Sequence, residues 1–329
     1  MRNLDARFNF NMSQMAYLLD MDKSRVSRFI SENKIEATEI YSNKRKKFSI
    51  DTIRAIGANK FQSFKPIKEK INVFYNFKGG TGKTSICNQV SFHLCLLGFN
   101  VLVIDTDAQA HLTKSVGFDE YNDFDTLYDV LVNNVDLKST IHKVYPGFDF
   151  IPSNLSMTKI DPQLSTRNNR EKILRKQLEK VRDDYDYIII DTNPTISILN
   201  FNAAFAAERL NIVCETQPYS LQGLDMLITE LTKFSKDMEY KDINYGIIPN
   251  KYESKVVTSQ EALGKIRADY KAKSMESVIR RSEDMNISAK EAVPVQVSAK
   301  IPSPAVEDIK DLTFELIEKT SGKRIEGAK

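Results

Sequence analysis

The 329-residue chain has no tryptophan, only three cysteines and only three histidines. Cys87, Cys95 and Cys214 show no metal-ligand spacing, so zinc modules and disulfide frameworks are set aside. They read as small buried residues of a reducing cytoplasm. No apolar run approaches the ~18 residues of a transmembrane helix. The opening Met1-Arg2-Asn3-Leu4-Asp5-Ala6-Arg7 lacks the apolar core of a secretory leader. What remains is ordinary globular composition, 41% apolar and 28% charged, in a chain long enough for two domains or one with an appendage. The net charge of +3 is unevenly spread. Residues 1–70 carry 15 Lys/Arg against 8 Asp/Glu, net +7, and the remainder 32 against 36, net −4. A basic head on a mildly acidic body suits an anionic polymer as partner.

The densest chemical signal is Asn76-Phe77-Lys78-Gly79-Gly80-Thr81-Gly82-Lys83-Thr84-Ser85. It follows the apolar stretch Ile71-Asn72-Val73-Phe74-Tyr75 and precedes a helical pattern from Ile86 to Leu97, stopped by Gly98. Strand, glycine loop and helix in that order form a P-loop. Gly79, Gly80, Thr81 and Gly82 let backbone N–H groups face phosphate oxygens, and the helix start near Lys83 adds its positive dipole end. Lys83 is placed for the β- and γ-phosphates of ATP, Thr84 for Mg²⁺, and Ser85 extends the cradle. Phe77 stands where the standard spacing has glycine, and Lys78 is an additional lysine. That combination resembles the deviant Walker A loop of the ParA/MinD ATPases. The resemblance implies that Lys78 contacts nucleotide phosphate across an ATP-sandwich homodimer.

Ahead of the loop, helical spacing over Ser13–Leu19, a turn at Asp20-Met21-Asp22 and a second amphipathic helix over Lys23–Asn33 form a helix-turn-helix layout. Arg25 and Arg28, three apart, share one face and are candidates for base edges or phosphates of DNA. Glu39 to Phe48 reads as a hairpin wing with the basic tip Lys44, Arg45, Lys46 and Lys47, and a further helix begins near Ser49. The set resembles the winged helix-turn-helix of MerR-like domains; a small helical cap with solvated lysines is the alternative. Expected boundaries are a DNA-binding domain over 1–58, a linker over 59–70 containing Pro66, and an ATPase domain over 71–329.

Apolar strand candidates at Ile71–Tyr75, Val101–Ile104, Phe148–Ile151, Tyr187–Ile190, Leu210–Cys214 and Tyr245–Ile248 alternate with helical patterns. The expected fold is α/β, a mostly parallel doubly wound sheet of P-loop NTPase type, with ligands outside the carboxyl ends of the strands. Asp191 closes the run Tyr187-Ile188-Ile189-Ile190 as a Walker B aspartate and is the candidate to hold Mg²⁺ opposite Thr84. Asp105-Thr106-Asp107-Ala108-Gln109 ends another strand with two carboxylates.

From about Ile71 to Lys319 the chain resembles the ParA/Soj partition ATPases. Asp105 to Gln109 is similar to their switch I motif, with Ala108 replacing proline. Tyr185 to Pro194 is similar to their Walker B and switch II run, with Asn193 where a first proline is usual. Thr126–Leu131, Asp149–Asn154 and Glu215–Leu224 match further stretches. The resemblance implies that Asp107 orients the attacking water and contributes to the metal site, that Lys78 steadies phosphoryl charge, and that Asn250 contacts adenine. It also implies non-specific DNA binding near Lys265, Arg267, Arg280 and Arg281, and a ParB-like centromere-binding partner that stimulates hydrolysis. Operator recognition by the Arg25 helix would add autorepression, and the protein would be cytoplasmic and nucleoid-associated. Three other readings stand beside this one. A MinD-like positioner on membrane is opposed by a tail, Ile317 to Arg324, without a membrane-binding apolar face. A nitrogenase-reductase-like electron carrier is opposed by the cysteine placement. A transcription regulator using nucleotide only as ligand is the third.

Overall fold

The computed structural model describes residues 8–40, 46–119, 123–238 and 243–325. Near-continuous apolar runs make strands that are covered on both faces, and here they assemble into one seven-stranded sheet. Its strands are β4 (Ile71–Tyr75), β5 (Val101–Asp105), β6 (His142–Tyr145), β7 (Phe148–Ile151), β8 (Tyr187–Asp191), β9 (Arg209–Glu215) and β10 (Tyr245–Asn250), in the order β10-β9-β4-β8-β5-β7-β6. All pairings are parallel except β6 with β7. Strand alternation divides the core. On β8, Tyr187 and Ile189 enter one apolar cluster while Ile188 and Ile190 enter the other. Helices cover both faces, so the expected doubly wound α/β sheet is what forms.

The helix after the P-loop, α4 (Lys83–Leu96), is buried along almost its whole length. One side lies on the sheet, and the other meets the head and the C-terminal helix Pro304–Ser321. The head comprises β1 (Phe10–Asn11), α1 (Met12–Leu18), α2 (Lys23–Glu32), β2 (Glu39–Ile40), β3 (Lys46–Phe48) and α3 (Ile50–Phe61). Its three short strands pair antiparallel in the order β1-β3-β2. Asn11 caps α1 by accepting from the Ser13 and Gln14 amides.

Head and body share one apolar core rather than meeting through a loose connector. Phe8 packs edge-on to Phe92 and Tyr145, with ring centroids 5.5 and 5.2 Å away. Arg54 donates to the Cys95 carbonyl at 2.6 Å and the Phe99 carbonyl at 2.9 Å. Lys60 donates to the carbonyls of Leu19 and Asp20 at 2.9 and 2.5 Å, and Lys310 pairs with Asp20 at 3.2 Å. A Cβ on Gly57 would sit 2.6 Å from the Leu96 carbonyl oxygen, so helix contact at this seam requires glycine. Helix α3 therefore runs to Phe61, past the expected boundary at residue 58, because Ile53, Ile56 and Phe61 are all buried. The rest of the segment expected as linker is pinned as well. Lys65 pairs with Asp186 at 2.9 Å, and the Ile67 amide donates to the Thr320 carbonyl.

Candidate nucleotide site

The loop between β4 and α4 turns through Gly80 (φ +74°) and Gly82 (φ +90°), left-handed values that favour glycine. Behind it, Asn250 donates from Nδ2 to the Thr81 carbonyl at 2.6 Å. Asn250 is only 5% exposed and braces the loop from below, which differs from the expected adenine contact. Lys83, buried, donates to the Lys78 carbonyl at 3.3 Å. Burial lowers the Lys83 pKa, with Asp191 and Asp107 pulling against it. A cavity of about 1080 Å³ opens over the loop. Its walls include Gly80–Ser85, Asp107, Thr192–Thr195, Lys251 and, from the helix Glu283–Glu291, Met285, Asn286 and Lys290.

Three carboxylates stand at the strand ends below this cavity, and each has a different environment. Asp105 is fully buried and satisfied: Oδ1 accepts from the Asp107 amide at 2.9 Å, and Oδ2 from the Thr113 amide and hydroxyl at 2.9 and 2.7 Å. Burial pushes its pKa up to about 6. It is a brace for the loop carrying Asp107. Asp107 lines the cavity and is further fixed by Ser153, whose hydroxyl donates to its carbonyl at 2.6 Å. Asp191 is also fully buried, yet neither carboxylate oxygen has a hydrogen-bond partner among the described residues. Burial and then Asp105 drive its pKa well up, while Thr84 and Lys83 pull it down.

A buried carboxylate without partners is costly, and a hard cation or its water is the usual remedy. Asp191 and Thr84 thus fit Mg²⁺, and the unpartnered buried hydroxyl of Thr81, a residue of the cavity wall, fits a phosphate oxygen. Bound there, Mg²⁺ supplies charge neutralisation for the triphosphate. Around it the chain offers the backbone N–H groups of the loop and the α4 dipole, and Lys83 and Asp107 line the same cavity.

Asn193, in place of proline, closes the switch turn by side-chain bonds. Its Oδ1 accepts from the Thr195 amide and hydroxyl at 3.2 and 2.5 Å and from Asn200 Nδ2 at 2.8 Å. Lys78 does not line the cavity. Its ammonium bonds Glu215 at 3.1 Å and the Ser220 hydroxyl at 2.9 Å. Lys251 reaches the same Glu215 at 2.6 Å and the Gly80 carbonyl at 2.5 Å. Sequence reading missed Glu215, Ser220 and Lys251; a carboxylate ending β9 level with the loop was the available signal.

The basic candidates are scattered. Arg25 and Arg28 are exposed on α2, as is Lys46 on β3, while Lys47 is half-buried. Lys44 and Arg45 lie outside the described residues. Lys265 and Arg267 are exposed on the helix Val257–Asp269, with Arg267 donating to the Glu276 carbonyl. Arg280 corrects the expectation of a free phosphate contact: it is held by Asp308 at 2.5 Å and Glu307 at 2.7 Å, which raise its pKa. Arg281 pairs with Glu253 at 2.9 Å. No helix among the described residues is long and apolar enough to cross a membrane.

The AAA domain family profile matches residues 69–244. The cell division protein PomZ of Myxococcus xanthus is 35% identical over 228 residues, covering 69% of this chain and 71% of that protein. The sporulation initiation inhibitor protein Soj of Bacillus subtilis is 26% identical over 227 residues, covering 69% and 90%. Among solved structures, cobyrinic acid a,c-diamide synthase of Mycobacterium smegmatis, with bound ATP analog and magnesium, superposes with a TM-score of 0.68 at 22% identity. It covers 78% of this chain and 98% of that one, a likeness of fold. With the phosphate cradle, its lysine and the unpartnered Walker B carboxylate in place, the chain belongs to this AAA domain family and is a ParA/MinD-type P-loop ATPase.

Proposed function

We propose that this ATPase positions or partitions DNA through an ATP-sandwich homodimer. The observation that carries the reading is Lys78, an exposed-side ammonium turned out of its own phosphate cavity. A lysine so placed is available to a second copy's triphosphate. Supporting it, Ile196 and Tyr219, 65% and 82% exposed, stand in the segments that border the cavity and hold Lys78. In this reading the dimer binds non-specific DNA through Lys265, Arg267 and neighbouring cations by salt-sensitive phosphate contacts. A ParB-like partner on a centromere-like site stimulates hydrolysis and releases the dimer. The head, read as a winged helix-turn-helix, presents Arg25 and Arg28 to operator DNA and autorepresses. Its basic exposed α2 face is what favours this over a purely structural cap.

The decisive measurement is light scattering with saturating ATP and Mg²⁺ on Asp107→Ala, chosen to slow turnover. A dimer that also retains plasmid DNA in a salt-dependent manner is expected. A persistent monomer overturns the reading.

A further inference from the structure

We propose that Glu215 is a positioning residue that holds the Lys78 ammonium out of the cavity, and the Lys251 ammonium against the loop at the cavity wall, until nucleotide and a second copy compete for them. The proposal rests on the reading that Lys78 serves phosphate in a dimer, and it adds a regulating group to that site.

Sheet register places the three residues together. In the parallel pair β4–β9, Tyr75 lies opposite Ile212, so Lys78 and Glu215, each three residues further on, stand level above the strand ends. In the pair β9–β10, Glu215 lies opposite Asn250, and Lys251 follows directly. Glu215 thus sits between the P-loop and the turn after β10, with a side chain only 10% exposed. One carboxylate oxygen takes Lys78 at 3.1 Å and the other Lys251 at 2.6 Å. Burial opposes the charged carboxylate, but the two ammonium groups outweigh it and hold the Glu215 pKa down. Lys251 has φ +54°, a left-handed conformation uncommon for lysine that aims its side chain back across the loop.

Two cations on one carboxylate leave a positive excess beside a cavity built for polyanion. Both lysine side chains stay about one-third exposed, 38% and 32%, so solvent screens the pairs and they exchange readily. A triphosphate across the interface offers Lys78 more negative charge than Glu215 does. Release of Lys78 then becomes part of dimer closure, and Glu215 sets the ATP concentration at which closure begins.

The test is ATP titration of dimer formation by light scattering in the Asp107→Ala background, with and without Glu215→Gln. Glutamine keeps the size and one acceptor while removing the charge. The ATP concentration for half-maximal dimer is expected to fall about five-fold, a shift typical of losing screened ion pairs. With Asp107 intact, KM for ATP should fall by a similar factor, more than kcat changes, which a merely structural role would not produce. Ser220→Ala, which frees only Lys78, should shift the midpoint about two-fold the same way, and it decides the matter if Glu215→Gln fails to fold. An unchanged or raised midpoint in the folded variant overturns the proposal while leaving the dimer reading intact. Absence of any ATP-dependent dimer in the Asp107→Ala protein with Glu215 unchanged overturns both.

Discussion

Helix α4 has two ends with opposite character. At Lys83 it meets a cavity beside buried polar groups without partners, the Asp191 carboxylate and the Thr81 hydroxyl. At Leu96 it meets the head through close contact at Gly57, the Phe8–Phe92 ring pair and carbonyls of Cys95 and Phe99 satisfied by Arg54. The first end carries a cost that a ligand removes; the second is tied to its neighbours, although His93 Nδ1 and Ser91 Oγ are buried there without hydrogen-bond partners among the described residues. What distinguishes the site end is a fully buried carboxylate, Asp191, with neither oxygen partnered among the described residues. One helix joins the two ends.

The largest way to sharpen this contrast is Lys83→Ala. The variant removes the only lysine aimed from the loop into its own site while leaving the seam untouched. ATP turnover should fall about 100-fold or more, with the melting temperature of the nucleotide-free protein little changed. A large loss of stability without nucleotide would show that the site end is structural after all.

Gly57→Ala strikes the other end. A Cβ 2.6 Å from the Leu96 carbonyl oxygen must push α3 off α4, since backbone cannot yield as a flexible side chain does. About 1–3 kcal/mol of destabilisation is expected, read by denaturant unfolding. Hydrogen exchange should show the head opening before the sheet. If the head loosens and ATP turnover is unaffected, the seam is a support and not a transmitter.

The seam also carries a titratable group. His93 is wholly buried, shares a hydrogen bond with the Leu18 carbonyl at 3.1 Å through Nε2, and burial pushes its pKa down from 6.5 to about 3. The fold therefore holds the neutral ring. Its contribution is fully present above pH 6.5 and is lost as pH falls from there toward 3, at about 1.4 kcal/mol per unit. The stability difference between wild type and His93→Phe should accordingly narrow or reverse on acidification. A difference independent of pH between 7 and 4.5 would show that His93 titrates freely.

Six parallel strands were legible because strands covered on both faces are written as short apolar runs, and Tyr187 to Asp191 could hardly be anything else. The phosphate loop was legible because phosphate geometry dictates glycine and lysine spacing. Strand β6 was not: His142-Lys143-Val144-Tyr145 is a partly exposed edge with no alternation to find. Nor was the seam, since Gly57 against Leu96 and Gly98 against Ala58 meet through shape, which no local pattern encodes. The ion pairs of Arg280 are not legible because its carboxylates, Glu307 and Asp308, lie 27 and 28 residues away on the helix Pro304–Ser321. Glu215 stands in the sequence only as the start of a stretch matching the resembled family, because its meaning comes from two lysines in the loops after neighbouring strands.

Asn193 gives the smallest effect and bears on how complete the site end is. Where the resembled family has proline, this turn is held by an amide that bonds Thr195 and Asn200, so the backbone shape is kept by hydrogen bonds in place of a ring. Proline has no acceptor for Asn200 Nδ2, but that amide also donates to the carbonyls of Asn193 and Thr195, at 2.9 and 2.5 Å, and so is not orphaned. Asn193→Pro should therefore change turnover by no more than about three-fold, a net loss near one ordinary hydrogen bond. A fall beyond ten-fold would mean that the asparagine side chain acts on nucleotide itself, and the incomplete region of the site would extend past the strand ends into the switch turn.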